Sequence, residues 1–325
     1  MTMKSNAGIR LTLTRWLQIV VAVWLPLSAA AAKPQPELRS GDVVVAEGVR
    51  IHYVDAGDLR ASRTIVLVPG WCTSSAIWRD QIAALSATSR VVSIDPRSQG
   101  DSTITTKDNT PEQRARDLHA VLASLGLADV VLVGWSQGVQ DLAAYAVAYH
   151  GEGVSGYVLV DAPVGAGPAE AVRQPENLGQ QLARFAIYER YPKEYLQGMM
   201  EAIIRSPAGR AHIDEYVTIG LRTPPDLGIS MLIMDFLAVD RRAALESFNR
   251  PTLVIAAQSG DVETQKQMAG RIKGSRFETV ENAGHALFLD QPVRFRELLE
   301  EFVRQTHAQK ASASAVPQKD HSDRR

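Results

Sequence analysis

The sequence predicts a doubly wound α/β fold, a mainly parallel sheet with helices on both faces and a helical cap inserted at residues 162–249. Three observations carry that prediction. Short, continuously apolar runs such as Thr64 to Val68 (TIVLV) and Val130 to Val133 (VVLV) have the pattern of strands buried on both faces. Stretches with helical spacing alternate with them. Between Ala162 and Asn249 the strand pattern stops.

Taken in order, the first 32 residues form an address. Lys4, Arg10 and Arg15 precede an apolar run, Trp16 to Leu27, which ends in Ser28 and four alanines. A basic start, a short apolar stretch and a small-residue end predict a secretory signal peptide cut after Ala32. The alternative, an uncleaved anchor, needs about 20 apolar residues to span a bilayer, and this run is shorter. The protein is therefore expected to be exported, periplasmic or secreted, with no stable membrane insertion after cleavage. Its formal charge goes from −1 to −4 once the three basic residues are gone.

Val43 to Val45 and Ile51 to Val54 predict an opening hairpin, and Thr64 to Val68 a strand closed by Pro69-Gly70. A helix over Ala76 to Leu85 and a strand over Val91 to Ile94 follow. Pro111 to Leu125 predicts a helix with Pro at its start and Leu118, Val121, Leu122 and Leu125 on one face. Val130 to Val133, a helix over Gln140 to His150 and Tyr157 to Val160 close the first part of the core, residues 33–161. In the cap, helices are expected around Asn177–Tyr188, Lys193–Arg205 and Leu232–Phe248. The second part of the core, residues 250–307, holds Thr252 to Ala256, a helix over Thr264 to Ile272, Arg276 to Val280 and a helix over Pro292 to Arg304. Residues 308–325 are polar and lack periodicity, so a disordered tail is expected.

Composition narrows the function. Lys+Arg number 35 against 36 Asp+Glu, so nothing favours nucleic acid or an anionic membrane as partner. A single cysteine, Cys72, excludes an internal disulfide and a cysteine-cluster zinc site. No P-loop, no G-x-G-x-x-G after a strand and no H-E-x-x-H is present, and the chemistry described below needs no cofactor. The expected partner is a small acyl substrate, and oligomeric state is not encoded in any visible pattern.

In a doubly wound sheet, functional residues gather at the strand C-termini. Gly134-Trp135-Ser136-Gln137-Gly138 stands there, between a buried strand and a helix. A serine nucleophile must be exposed on such a tight turn, with small residues two before and two after it. The helix N-terminus then offers amides where negative charge develops. His285, just after the last strand, is the candidate base. Asp261, reached from its strand through Gln258-Ser259-Gly260, is the preferred carboxylate to orient that imidazole. Asp161, directly after Tyr157 to Val160, competes with it, and Glu263 stands third. The oxyanion donors are expected to be the amides of Gln137 and Trp71, with Trp71 also able to serve only as a pocket wall.

Together these residues resemble the α/β-hydrolase family over about Val43 to Gln305. The segment Pro69 to Trp78 resembles the family's H-G-x-x-x-S-S-x-x-W, and Asp95 to Ser102 its D-x-R-G-x-G-x-S loop. Gly284 to Pro292 resembles its G-H-x-x-x-x-(D/E)-x-P segment. The sequence departs from the pattern with Pro69 in place of His, Ser98 in place of Gly and Val139 in place of a second glycine. The resemblance implies a Ser136–Asp261–His285 triad under a helical cap, a serine esterase or lactonase acting through an acyl-enzyme. It leaves two rivals: a cofactor-free haloperoxidase or perhydrolase on the same triad, and a non-catalytic binding protein. Mass spectrometry of the protein recovered from an exporting host should place the mature N-terminus at Lys33, and an intact Met1 in a cytosolic product would refute the signal peptide.

Overall fold

The structure, a computed structural model, describes residues 37–314. The expected signal peptide and residues 315–325 lie outside them. Eight strands form one sheet in the order β1-β2-β4-β3-β5-β6-β7-β8. They are β1 (Leu38–Ala46), β2 (Val49–Ala56), β3 (Thr64–Val68), β4 (Arg90–Ile94), β5 (Val130–Trp135), β6 (Val154–Val160), β7 (Thr252–Ala257) and β8 (Arg276–Val280). β1 and β2 form an antiparallel hairpin and β2 meets β4 antiparallel, while β4 and β3 to β8 run parallel. Strands β3, β5 and β7 are buried at every residue, as their unbroken apolar runs require.

The core helices are α1 (Arg79–Leu85), α2 (Pro111–Ser124) and α3 (Gln137–Tyr149), then α10 (Val262–Arg271), α11 (Leu287–Asp290) and α12 (Pro292–Ser314). Pro111 occupies the first position of α2, and Thr110 caps that helix by accepting the Gln113 amide. One face of the sheet packs against Trp78, Phe288, Phe295 and Phe302, and the other against Leu118, Leu142, Tyr145 and Phe248. On the first face Phe288 stacks on Trp78 at 3.9 Å between ring centres and meets the edge of Trp135 at 5.1 Å.

Between β6 and β7 the chain is helical: α4 (Gly167–Arg173), α5 (Pro175–Arg190), α6 (Pro192–Ile203), α7 (Pro207–Arg210), α8 (Ile213–Gly220) and α9 (Pro225–Leu232). The single helix expected over Leu232–Phe248 does not form. α9 ends at Leu232, passes into a π-helical turn at Ile233–Leu237, and resumes as a 3-10 turn at Arg242–Ser247. The break has a physical cause. The Arg241 guanidinium donates to the carbonyls of Met234 and Asp235 at 2.8 and 3.0 Å, taking acceptors that a continuing helix would use for its own amides. At the other end, α12 runs to Ser314, so the polar stretch expected to begin at residue 308 is helical over its first seven residues. Ala, Gln and Lys sustain a helix without an apolar face, so periodicity missed them. Among the described residues no helix is long and apolar enough to cross a membrane.

Phe288→Ala should open a cavity among Trp78, Trp135 and Phe295. Urea unfolding should show a loss of about 3–5 kcal/mol with the m-value unchanged.

Candidate active site

β5 delivers the chain to Ser136, which adopts φ 56° and ψ −114° before α3 begins at Gln137. A left-handed conformation at a non-glycine residue is uncommon, and here it lifts the serine out of the line of the strand. The turn is tight enough that a Cβ on Gly138 would lie 2.7 Å from the Val68 carbonyl oxygen, which explains the glycine. The loop after β3 crosses directly beside it: a Cβ on Gly70 would lie 3.1 Å from the Ser136 Cβ. That loop carries Trp71. Among the described residues, neither the Trp71 nor the Gln137 backbone amide is taken by a protein acceptor. Two free amides beside the serine can receive an oxyanion.

His285 sits on the loop between β8 and α11 and lines the same cavity as Ser136. Its backbone is clamped from three sides. The indole Nε1 of Trp135, the residue before Ser136, donates to the His285 carbonyl at 2.9 Å. The Ala286 amide donates to Ile203 of α6 at 3.1 Å. Asp290 accepts the Gly284 amide at 2.7 Å on one oxygen and the amides of Arg205 and Ser206 at 2.8 and 2.7 Å on the other. The His285 loop is thus held jointly by the Ser136 turn and by the cap. No hydrogen bond joins Ser136 to His285, a contact that often tightens only when substrate binds.

The carboxylate beside His285 is Asp161, which corrects the expectation of Asp261. His285 Nδ1 lies 2.8 Å from Asp161 Oδ2. Asp161 Oδ1 accepts the Ala257 amide at 2.7 Å and the Gln265 side-chain amide at 3.0 Å. A carboxylate can only accept here, so Nδ1 carries the proton and Nε2 is left as the acceptor. Asp161 is buried at φ 50°, directly after the strand paired with β5 and just beyond the Trp135–Val160 pair. Asp261 lies elsewhere. The Gly260 amide closes a turn onto Ala257 at 2.9 Å, and the exposed Asp261 caps α10 by accepting the Thr264 amide at 3.1 Å. Glu263 is in the first turn of α10 and accepts from Gln267. The glycine-linked loop that was expected to give Asp261 reach instead starts a helix.

The cavity at Ser136 and His285 measures about 180 Å³. Trp71 and Thr73 come from the β3 loop, and Tyr195, Met199 and Ile203 from α6. Leu232, at the end of α9, completes an apolar wall without a Lys, Arg, Asp or Glu. Trp71 is anchored to the cap, its Nε1 donating to the Gly228 carbonyl at 2.8 Å and its ring lying 5.0 Å edge-on from Tyr188. It is therefore a pocket wall as well as a candidate oxyanion donor. Trp135, Asp290 and the cap contacts were not singled out from sequence. The elbow and the G-H-x-x-x-x-D segment already contained the first two, but neither residue type announces a positioning role.

A larger cavity, about 460 Å³, opens between β2, α1 and α8 and includes neither Ser136 nor His285. At its edge His52, Asp95 and Asp101 bring potential ligand atoms within 4.8 Å of one another. Asp95 already accepts the Ser75 and Asp101 amides at 2.7 and 2.8 Å, so it clasps its loop, and that cluster has a structural role without a metal. In the same loop Ser98 replaces the family's glycine at φ 61°, and its Oγ accepts the Thr105 amide at 2.9 Å, which offsets the strain.

A serine turn after the fifth strand, with a His–Asp pair at the neighbouring strand ends, defines a doubly wound sheet of the hydrolase type. Residues 65–298 match the model of the Alpha/beta hydrolase family, and the chain belongs to that family of enzymes. It is 35% identical over 164 residues to a non-heme haloperoxidase of Rhodococcus erythropolis, covering 50% of this chain and 53% of the relative. It is 35% identical over 123 residues to a bifunctional esterase/perhydrolase of Acinetobacter calcoaceticus, covering 38% of this chain and 44% of the relative. The matches thus span about half the length of these two relatives. A bromoperoxidase from Bacillus anthracis superposes with a TM-score of 0.74 at 23% identity, over 82% of this chain and 100% of that one.

Cys72 follows Trp71 on the loop after β3 but is no candidate nucleophile. Burial pushes its thiol up to about 12, and its sulfur contacts the Tyr188 hydroxyl at 3.5 Å. Ellman's reagent at mildly alkaline pH should leave the native protein unlabelled and titrate one thiol after denaturation with guanidinium. Rapid labelling of the native state would contradict the burial.

Proposed function

We propose that the protein is a serine hydrolase that cleaves small, neutral carboxylic esters or lactones through an acyl-enzyme. The supporting observation is the 2.8 Å contact between His285 Nδ1 and Asp161 Oδ2 at the cavity that Ser136 lines. In this reading His285 Nε2 takes the Ser136 hydroxyl proton as Oγ bonds to the substrate carbonyl carbon. The carbonyl oxygen becomes an oxyanion facing the amides of Trp71 and Gln137. The C–O bond to the alcohol then breaks, and His285 returns its proton to that alkoxide. Water, deprotonated by His285, attacks the acyl-enzyme and releases the acid and free Ser136. Asp161 holds the imidazole in one tautomer and stabilises its charged form.

The cavity argues for the substrate class. With no Lys, Arg, Asp or Glu on its wall, a carboxylate or ammonium group on the acyl portion would lose its water without gaining a partner. About 180 Å³ suits a short acyl chain or one ring. The haloperoxidase and esterase/perhydrolase relatives favour one second reading on the same residues, in which hydrogen peroxide replaces water and yields a peracid. Export to the periplasm or medium, proposed from the N-terminal segment, would put either activity outside the cytoplasm.

Ser136→Ala should abolish p-nitrophenyl acetate hydrolysis, by about 10⁴-fold or more, while the fold persists. Asp161→Asn should lower kcat by about 10³–10⁴-fold, and Asp261→Asn should leave it unchanged. Equal losses in the two Asn variants, or turnover without Ser136, would sink the triad. Bromination of a phenol dye with acetate, peroxide and bromide present, the peracid oxidising bromide to the brominating species, would support the peracid reading.

A further inference from the structure

The cap reaches the nucleophile turn through a buried polar chain that the proposed chemistry does not itself use. Asp235, fully buried in the π-helical turn Ile233–Leu237, accepts from Gln137 Nε2 at 2.5 Å on one oxygen and from Arg114 Nη2 at 2.5 Å on the other. Gln137 is the residue after Ser136, and its own backbone amide is one of the two free amides beside the serine. Its side-chain oxygen accepts from Gln99 Nε2 at 3.0 Å, on the Asp95–Ser102 loop. The orientation of the Gln137 amide is forced, because a carboxylate at Asp235 can only accept. Arg114 in turn donates to Asp141 of α3 at 2.8 Å, so the same cap carboxylate is tied to both ends of the first turns of that helix.

We propose that Asp235 is a positioning residue for the oxyanion hole: by fixing the Gln137 side chain it fixes the Gln137 backbone amide, so the hole is competent only when the π turn of the cap is seated on the nucleophile turn. π turns interrupt helices at functional sites more often than by chance. This one has a reason to exist. Leu232, immediately before it, lines the substrate cavity, and Asp235, three residues on, faces the core beneath the serine. The wider turn lets one short segment serve both surfaces. The inference rests on the serine-hydrolase reading above.

The test uses Gln137→Met, Asp235→Asn and the double variant. Asn at 235 has one accepting oxygen, so it satisfies Arg114 or Gln137 but not both. Gln137→Met removes the link while leaving the Arg114–Asp235 ion pair in place, and so remains informative if Asp235→Asn folds poorly. Each single variant, assayed well below its own unfolding midpoint, should lose kcat for p-nitrophenyl acetate by about 10- to 100-fold with KM nearly unchanged. Affinity for a trifluoromethyl ketone, whose adduct on Ser136 puts an oxyanion in the hole, should fall by a similar factor. The double variant should be no worse than the more damaged single one. Wild-type kcat in Gln137→Met, or losses with unchanged ketone affinity, would overturn the role of Asp235. A fluorophosphonate probe separates the two failures. If it does not label Ser136 in the wild-type protein, the hydrolase reading itself is lost. If it labels Ser136 and the variants keep full rates, only the positioning role is.

Discussion

Ser136 holds φ 56° and ψ −114°, a backbone conformation that costs an L-residue roughly 1–3 kcal/mol, and the surrounding fold is arranged to impose it. Upstream, Trp135 is buried in the core face of the sheet. The Ser136 amide donates to Val160 of β6 at 3.1 Å, extending the strand pairing by one residue. Downstream, the Val139 amide returns to the Ser136 carbonyl at 3.0 Å and starts α3. The serine is pinned between a strand that has just ended and a helix that has just begun, so the strain cannot relax without unpairing one of them. What the strain secures is orientation: a half-buried serine on the cavity wall, beside the free amides of Trp71 and Gln137.

The same pairing explains why Asp161, and not Asp261, sits beside His285. Strand order was legible as a set of buried apolar runs, and Ser136 and His285 were legible because an elbow and a G-H segment have local signatures. The acid has none. It needs only to arrive beside His285, and two strands offered candidates. β6 lies directly against β5, so a residue one step beyond Val160 is already next to the serine turn. β7 lies one strand further out, and its loop closes within four residues into the α10 cap. Loop length suggested reach, but the local turn consumed it. Proximity in the sheet decided the matter, and adjacency between strands cannot be read from either loop alone.

The cap was legible as helical and apolar but not in its breaks. Part of its hold on the core is apolar, through Tyr188, Leu196, Met200 and Met231, and part comes from buried charge. Arg114 lies between Asp141 and Asp235, and Arg241 joins the Asp235 carbonyl to Glu112. Burial pushes Asp141 up to about 7, against the pull of Arg114, and pushes Asp235 up for the same reason. Charges placed this deep seldom add net stability over apolar packing of equal volume. They do penalise every arrangement in which a partner is missing. An apolar cap–core contact could slide by a residue at small cost, whereas displacing Asp235 leaves Nη2 of the Arg114 guanidinium and the Gln137 side-chain amide without their acceptor in the interior.

That difference bears on how specificity could change in this enzyme. The side chains that shape the cavity, Tyr195, Met199 and Ile203 on α6 and Leu232 at the end of α9, belong to the cap. α6 also holds the His285 loop through Ile203, and the α9 segment runs into the turn that meets Gln137. The walls of the cavity and the contacts that hold the His285 loop and Gln137 therefore belong to the same stretches of the cap. Single side chains facing the cavity can vary freely, because Met199 and Leu232 make no polar link to the rim. Exchange of whole cap helices cannot, since it would carry away the contacts at Ile203 and Asp235 together with the pocket. Changes at single cavity side chains thus leave the polar links beneath them in place, whereas exchange of a whole helix does not.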